Sequence, residues 1–154
     1  MERSGDTVIF IGEYHHCLDE KNRLIIPSPF RQILHNDQGG SVITKGLDRA
    51  LFVYPFPEWQ SLTQKLKSMA SNRADVRAFL RIFFSGAHRV NPDGQGRITI
   101  PIPLKQYAGI DTKVVAIGAF NKIEVWDERL WTDYYQQKRG EYEQVAEQLL
   151  DLEL

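Results

Sequence analysis

The sequence predicts an α+β protein built from two tandem copies of one unit of about seventy residues. Three observations lead there. The stretch "DEKNRLIIPSPFR", residues 19–31, returns in outline as "DGQGRITIPIPLK", residues 93–105. A second set of matches follows each stretch at nearly the same distance. Short strand-like runs also alternate with short helix-like runs in about equal shares.

The repeat can be followed residue by residue. At an offset of 74, Asp19 meets Asp93, Arg23 meets Arg97, Ile26 meets Ile100, Pro27 meets Pro101, Pro29 meets Pro103 and Arg31 meets Lys105. Upstream, Phe10 meets Phe84 and Gly12 meets Gly86. Downstream the offset becomes 72: "VIT" 42–44 meets "VVA" 114–116, Gly46 meets Gly118, Val53 meets Val125, Tyr54 meets Trp126 and Trp59 meets Trp131. The two-residue slip falls in "HNDQGG", 35–40, a polar, glycine-rich loop where length changes cost little. The units expected from this reading are 8–72, a first repeat with its helix; 73–83, a connecting helix; 84–131, a second repeat; and 132–154, an acidic C-terminal helix.

Each element has a local reason. "TVIFIGEYHHCLD" reads as an extended segment and "EKN" as a turn. "RLIIP" is a short strand closed by its proline. "SPFRQIL" is a short helix, with Ser28 as a cap and Pro29 in the first turn. "SVITKG" and "ALFVYP" are strands around a turn at "LDR". "PEWQSLTQKLKSM" is an amphipathic helix with Trp59, Leu62 and Leu66 on one stripe. "ADVRAFLRIFF" is helical, with Val76, Phe79, Leu80 and Phe83 facing inward. "GRITIP", "PLKQYAG", "KVVAIG" and "KIEVW" repeat the pattern, and the remainder forms a last helix or helix pair.

Composition narrows the function. The chain has 154 residues, 42% hydrophobic and 25% charged, as in an ordinary globular protein with a real core. The single cysteine, Cys17, forms no intrachain disulfide and fits a reducing cytosol. The apolar run "VIFIG" is too short for a signal peptide or a membrane span. The net charge of −1 hides an asymmetry: residues 1–110 hold 14 Lys+Arg against 10 Asp+Glu, and residues 111–154 hold 5 against 10. A mildly basic body with an acidic tail is compatible with nucleic-acid binding, but only if its basic residues are focused or many copies act together. Arg73, Arg77 and Arg81 are spaced for one helical face. It reads as a solvated stripe or as a contact with acid, and among acids a neighbour's tail with Glu141, Glu143, Glu147 and Asp151 is preferred to DNA phosphate.

Enzyme chemistry finds little support. His15 and His16 are adjacent on a strand and point to opposite faces, so they do not converge on a metal. "DGQG" lacks the spacing and Lys-Ser/Thr of a phosphate loop. Asp19 and Asp93 each carry a basic residue four positions on, which holds a carboxylate ionised and suits it poorly to general-acid work. No catalytic residue, metal site or cofactor is expected. The repeated Asp-x-x-x-Arg has two open readings. The Asp accepts backbone N–H groups and shapes a turn. The Arg either locks that turn as an ion pair or reaches outward to a phosphate or a guanine edge.

The second copy, "DGQGRITIPIPLKQYAGI", resembles the signature of AbrB-type regulators, bacterial DNA-binding proteins built as swapped β-hairpins. The ordered set "LDEKNRLIIPSPFR", "LFVYPFPEW", "DGQGRITIP" and "GAFNKIEVWDERLW", from about Phe10 to Trp131, is similar to the MraZ family, in which this unit is duplicated. The resemblance implies a tandem AbrB-like, double-psi-like β-barrel fold with flanking helices. It implies a sequence-specific, DNA-binding transcriptional regulator of division and cell-wall synthesis genes, with repression or activation left open. The partners would be double-stranded promoter repeats and further copies of the chain, in a ring that is an octamer or dodecamer, cytoplasmic and nucleoid-associated. The DNA-binding residues would be Asp19, Lys21, Arg23 and Arg31 in the first copy and Asp93, Arg97 and Lys105 in the second. Asn22 departs from the usual glycine, but Asn tolerates left-handed backbone. Lys105 in place of Arg31 keeps the charge and loses the fork. The rival reading is a protein–protein interaction or scaffold module without DNA binding.

Overall fold

Alternation of burial along "EYHHC" makes β1, Glu13–Cys17, a strand with Tyr14 and His16 turned inward. In the computed structural model, which describes residues 9–36, 39–69 and 72–149, the remaining elements follow in the expected order. They are β2 (Arg23–Ile25), α1 (Ser28–Asn36), β3 (Ser41–Lys45), β4 (Leu51–Pro55), α2 (Phe56–Lys67) and α3 (Ala74–Ser85). Then come β5 (His88–Val90), β6 (Arg97–Thr99), α4 (Ile102–Ala108), β7 (Lys113–Gly118), β8 (Ile123–Asp127), α5 (Glu128–Lys138), a short 3-10 turn and α6 (Tyr142–Gln148). No helix among the described residues is long and apolar enough to cross a membrane.

The two copies exchange strands. A six-stranded antiparallel sheet runs β1-β7-β8-β4-β3-β5, so the first strand of each copy lies against the sheet of the other. A second, two-stranded ribbon takes β2 from one copy and β6 from the other. Both pairings are symmetric. In the ribbon Leu24 faces Ile98, residues equivalent at the offset of 74. In the sheet Phe52 faces Glu124, equivalent at the offset of 72. A pseudo-twofold axis therefore passes through both. The core lies between the sheet and the ribbon and draws on both copies, with Leu24, Ile26, Ile98, Ile100, Val53 and Val125 all buried. The fold is α+β with intertwined, swapped units.

On the sheet's other face each copy ends in an aromatic cluster. Tyr54 meets Trp59 at 5.8 Å between ring centres, and their equivalents Trp126 and Trp131 meet at 5.3 Å. Trp59 also stacks on Phe83 of α3. The side chain of Asp127 accepts the N–H groups of Arg129 and Leu130 and so caps α5.

Several expectations are corrected. The slip is not confined to residues 35–40. Val42 pairs with Tyr54 as Val115 pairs with Trp126, so β3 and β7 correspond at an offset of 73. One residue of the slip therefore lies in the hairpin, where Asp48 and Arg49 adopt left-handed backbone and make the first loop longer than residues 119–122. Gly46 and Gly118 are thus not equivalent. Phe10 is buried and bridged to Phe120, whereas Phe84 is an exposed residue of α3, so that match is not structural either. Ser28 lies inside α1. The N–H of Arg31 donates to the carbonyl of Pro27, as Lys105 does to Pro101, which leaves the proline at the cap. Phe79 is 45% exposed and faces outward while Phe83 fills the interior. Arg73 precedes α3 in extended backbone, and Asp75 holds its guanidinium through bonds of 2.6 and 3.1 Å. The three-arginine face is therefore broken at its first member. Thr7, Val8, residues 37 and 38, Asp151 and the rest of 150–154 lie outside the described residues.

His15 ties the swapped β1 to α5. Its Nδ1 lies 2.9 Å from Glu128 and its Nε2 2.7 Å from Glu13. The Glu128 bond first, and the Glu13 bond second, raise its pKa above 6.5. A raised folded pKa adds stability below pH 6.5 that is lost as pH rises through the folded value. The side chain is 49% exposed, so screening keeps this to about 1 kcal/mol or less. Melting midpoints at pH 6 and pH 8 should differ more for the wild type than for His15→Asn. Equal differences would show that the contact contributes nothing.

Candidate nucleic-acid interface

The ribbon places one turn at each of its ends. Asp19 Oδ1 accepts the backbone N–H groups of Lys21 and Arg23, each at 2.9 Å, and Asp93 Oδ1 accepts those of Gln95 and Arg97 at the same distances. Asp is used at this position because its short carboxylate reaches two N–H groups of its own turn. Asn22 (φ 59°) and Gly96 (φ 79°) supply the left-handed residue that both turns require. The N–H bonds from Arg23 to Asp19 and from Arg97 to Asp93 are the largest influence holding these carboxyls below 3.8. Both stay ionised at neutral pH. A depressed folded pKa adds stability above 3.8 that is lost as pH falls through the folded value.

The arginines come next. Arg23 Nε donates to Asp19 Oδ2 at 2.6 Å, and Arg97 Nε donates to Asp93 Oδ2 at 3.0 Å. Pairing through Nε leaves the Nη1/Nη2 edge of each fork directed away from its aspartate. Among the described residues, each of these arginines bonds its aspartate through Nε and makes no hydrogen bond through its terminal nitrogens, and Arg97 Nη1 lies 4.0 Å from Asp19 Oδ2. The two readings of the motif are therefore compatible: one edge of the guanidinium locks the turn and the other remains available.

Alternation in three-residue strands decides what shares this face. Leu24 and Ile98 point into the core, so Arg23, Ile25, Arg97 and Thr99 point out together. Ile25, 46% exposed, and Thr99 were not among the expected site residues. Period-two alternation from Leu24 and Ile98 was the signal that could have found them. Lys21 is exposed beside the first turn. Arg31 and Lys105 lie on α1 and α4 and cross to the other copy: Lys105 Nζ donates to Asn22 Oδ1 at 2.9 Å, and Arg31 Nη1 approaches the carbonyl of Gln95 at 3.5 Å. All seven expected residues thus gather around one ribbon.

The charge of the ribbon is modest. Asp19 and Glu20 offset Lys21 and Arg23, Asp93 offsets Arg97, and the excess is Arg31 and Lys105. The described residues hold no group of three or more His, Cys, Asp or Glu placed to share a metal ion.

Comparison with known proteins agrees with the duplication. A family described as "MraZ protein, putative antitoxin-like" matches twice, over residues 9–82 and 83–153. A protein of Syntrophomonas wolfei named "Transcriptional regulator MraZ" is 47% identical over 144 residues, covering 94% of this chain and 99% of that one. Proteins of the same name from Pelotomaculum thermopropionicum and Moorella thermoacetica are 47% and 46% identical over 146 residues, covering 95% of this chain and 99% and 100% of theirs. The chain belongs to the MraZ family.

Proposed function

We propose that this chain is a transcriptional regulator that binds double-stranded DNA through the outward face of the β2–β6 ribbon. The observation that carries this reading is the pair of arginines, each locked through Nε and open at the Nη edge. An Nη fork suits two acceptors side by side, as on a phosphate or on guanine O6 and N7. Ile25 and Thr99 between them offer apolar contact of the kind a thymine methyl takes. Lys21 is placed at the rim to meet phosphate, which positions the protein without reading sequence. The relatives' name supports the regulatory role. Division and cell-wall synthesis genes are the targets in this reading.

A ribbon with so small a net charge binds weakly alone. Several copies at fixed spacing, on direct DNA repeats, multiply its effect. A ring-like homo-oligomer provides this. Phe79, Ile82 and Phe84 on α3, and Tyr135, Tyr142, Val145 and Leu149 at the C-terminal end, are exposed and offer apolar surface for further copies. Phe79→Glu with Ile82→Glu should reduce the sedimenting species to smaller ones and weaken DNA binding, while the far-ultraviolet circular dichroism stays unchanged. An unaltered sedimentation profile would remove α3 from the assembly.

The test of the reading is selection of duplexes from a random library, followed by a salt titration of the recovered duplex. Binding that weakens linearly in log–log form with salt supports DNA recognition. No duplex retained at any salt sinks it in favour of a protein-interaction module.

A further inference from the structure

We propose that Arg31 and Lys105 are positioning residues that clamp the turn of the opposite copy. Each is matched to the residue on which it sits, Arg31 to Gly96 and Lys105 to Asn22. The inference rests on the DNA-reading role of the ribbon and deepens it.

Two of the differences between the copies are Asn22 against Gly96 in the turn, beside Glu20 against Gly94 and Lys21 against Gln95, and Arg31 against Lys105 on the helix. Along the chain the two differences look unrelated. In the fold they meet. α1 of the first copy packs on the second turn, and α4 of the second copy packs on the first. A Cβ on Gly96 would collide with Arg31 Nη1 and lie 2.7 Å from Arg31 Cδ. The arginine side chain therefore lies over residue 96, and a side chain placed there would have to displace it. The first turn has a side chain at the equivalent position, and its partner is the slimmer lysine, whose Nζ bonds to the Asn22 amide oxygen at 2.9 Å. Arg31 keeps a polar anchor as well, but its approach to the Gln95 carbonyl is long at 3.5 Å, so shape dominates that contact.

The consequence for the site is direct. Arg23 follows Asn22 and Arg97 follows Gly96, so whatever holds the left-handed residue sets how each guanidinium leaves the turn. Each turn is gripped on one side by its own aspartate and on the other by a cation from the opposite copy. The backbone carbonyls of Asn22 and Gly96 are engaged across the ribbon too, by Ile100 at 2.8 Å and Ile26 at 2.9 Å. The charges on Arg31 and Lys105 are thus directed at the turns, and their main effect on DNA is through the pitch of Arg97 and Arg23.

A double-mutant cycle tests this on the full chain, with Gly96→Asn, Arg31→Lys and the pair together. Gly96→Asn alone should lower the melting midpoint and cut affinity for the selected duplex about tenfold, within the range over which contacting residues couple. The pair installs the first turn's combination in the second turn and should recover affinity to within about threefold of wild type. The mirror cycle, Asn22→Gly with Lys105→Arg, repeats the test should any single variant fail to fold. Additive losses in melting midpoint, in both cycles, overturn the clamp. Coupling in melting with additive losses in affinity overturns the positioning role. If the wild type retains no duplex, the DNA reading falls, whereas coupling in melting would still support the clamp.

Discussion

Arg23→Ala is expected to leave the fold and assembly intact and to lower affinity for the selected duplex by about 10- to 100-fold. One bidentate contact carries about 1–3 kcal/mol of discrimination. Folding should survive because Asp19 Oδ1 still takes the N–H groups of Lys21 and residue 23, and Arg23 itself is only partly buried. Arg23→Lys separates the two components of the contact. It retains the charge, and so most of the salt slope, while losing the fork and with it discrimination among duplexes. Arg97→Ala should cost less specificity, because Asp19 as well as Asp93 draws on that guanidinium and it is the less exposed of the two. A larger loss of base discrimination at Arg97 than at Arg23 would reverse this order.

Leu24→Ala should be among the most destabilising single substitutions in the ribbon, at about 2–5 kcal/mol. Leu24 is wholly buried and faces Ile98 on the pseudo-twofold axis, where both copies meet. For a chain of this size the loss corresponds to a fall of roughly 5–15 °C in melting midpoint. Ile98→Ala should behave alike, and Thr99→Ala, one residue away on the outer face, should change the midpoint little. Denaturant unfolding of the three variants checks the contrast. A mild Leu24→Ala, comparable with Thr99→Ala, would mean that the ribbon is not part of the cooperative core.

Much of this architecture was legible in the sequence because it depends on short-range patterns. Asp19 and Asp93 announce their turns, the prolines at 27 and 101 end their strands, and period-two and helical spacing separate strand from helix. The duplication was legible for the same reason. What pairs with what was less so. Nothing local shows that β1 crosses to β7, or that Lys105 reaches Asn22, because these contacts join residues far apart in the chain. The two-residue slip was located by loop composition, and the hairpin of residues 46–50 concealed half of it by absorbing one residue in left-handed backbone. Helical spacing alone turns Phe79 inward, whereas the fold leaves it 45% exposed. Spacing identifies an apolar stripe but not which part of it the chain itself covers, and an exposed part of the stripe has the same spacing as core. At the site, the arginines and aspartates could be named in advance. Their division of labour, Nε to the carboxylate and Nη outward, is a matter of geometry that only the folded turn determines.

The central claim is that the ribbon's outer face is where DNA binds, and photo-crosslinking tests it most directly. A photoreactive side chain placed at Thr99, exposed between the two arginines, should crosslink to the selected duplex. One placed at Tyr135 on α5, away from the ribbon, should not. The crosslink at 99 should fade with added salt and with Arg23→Ala. A duplex captured from position 135 but not from position 99 would contradict the account.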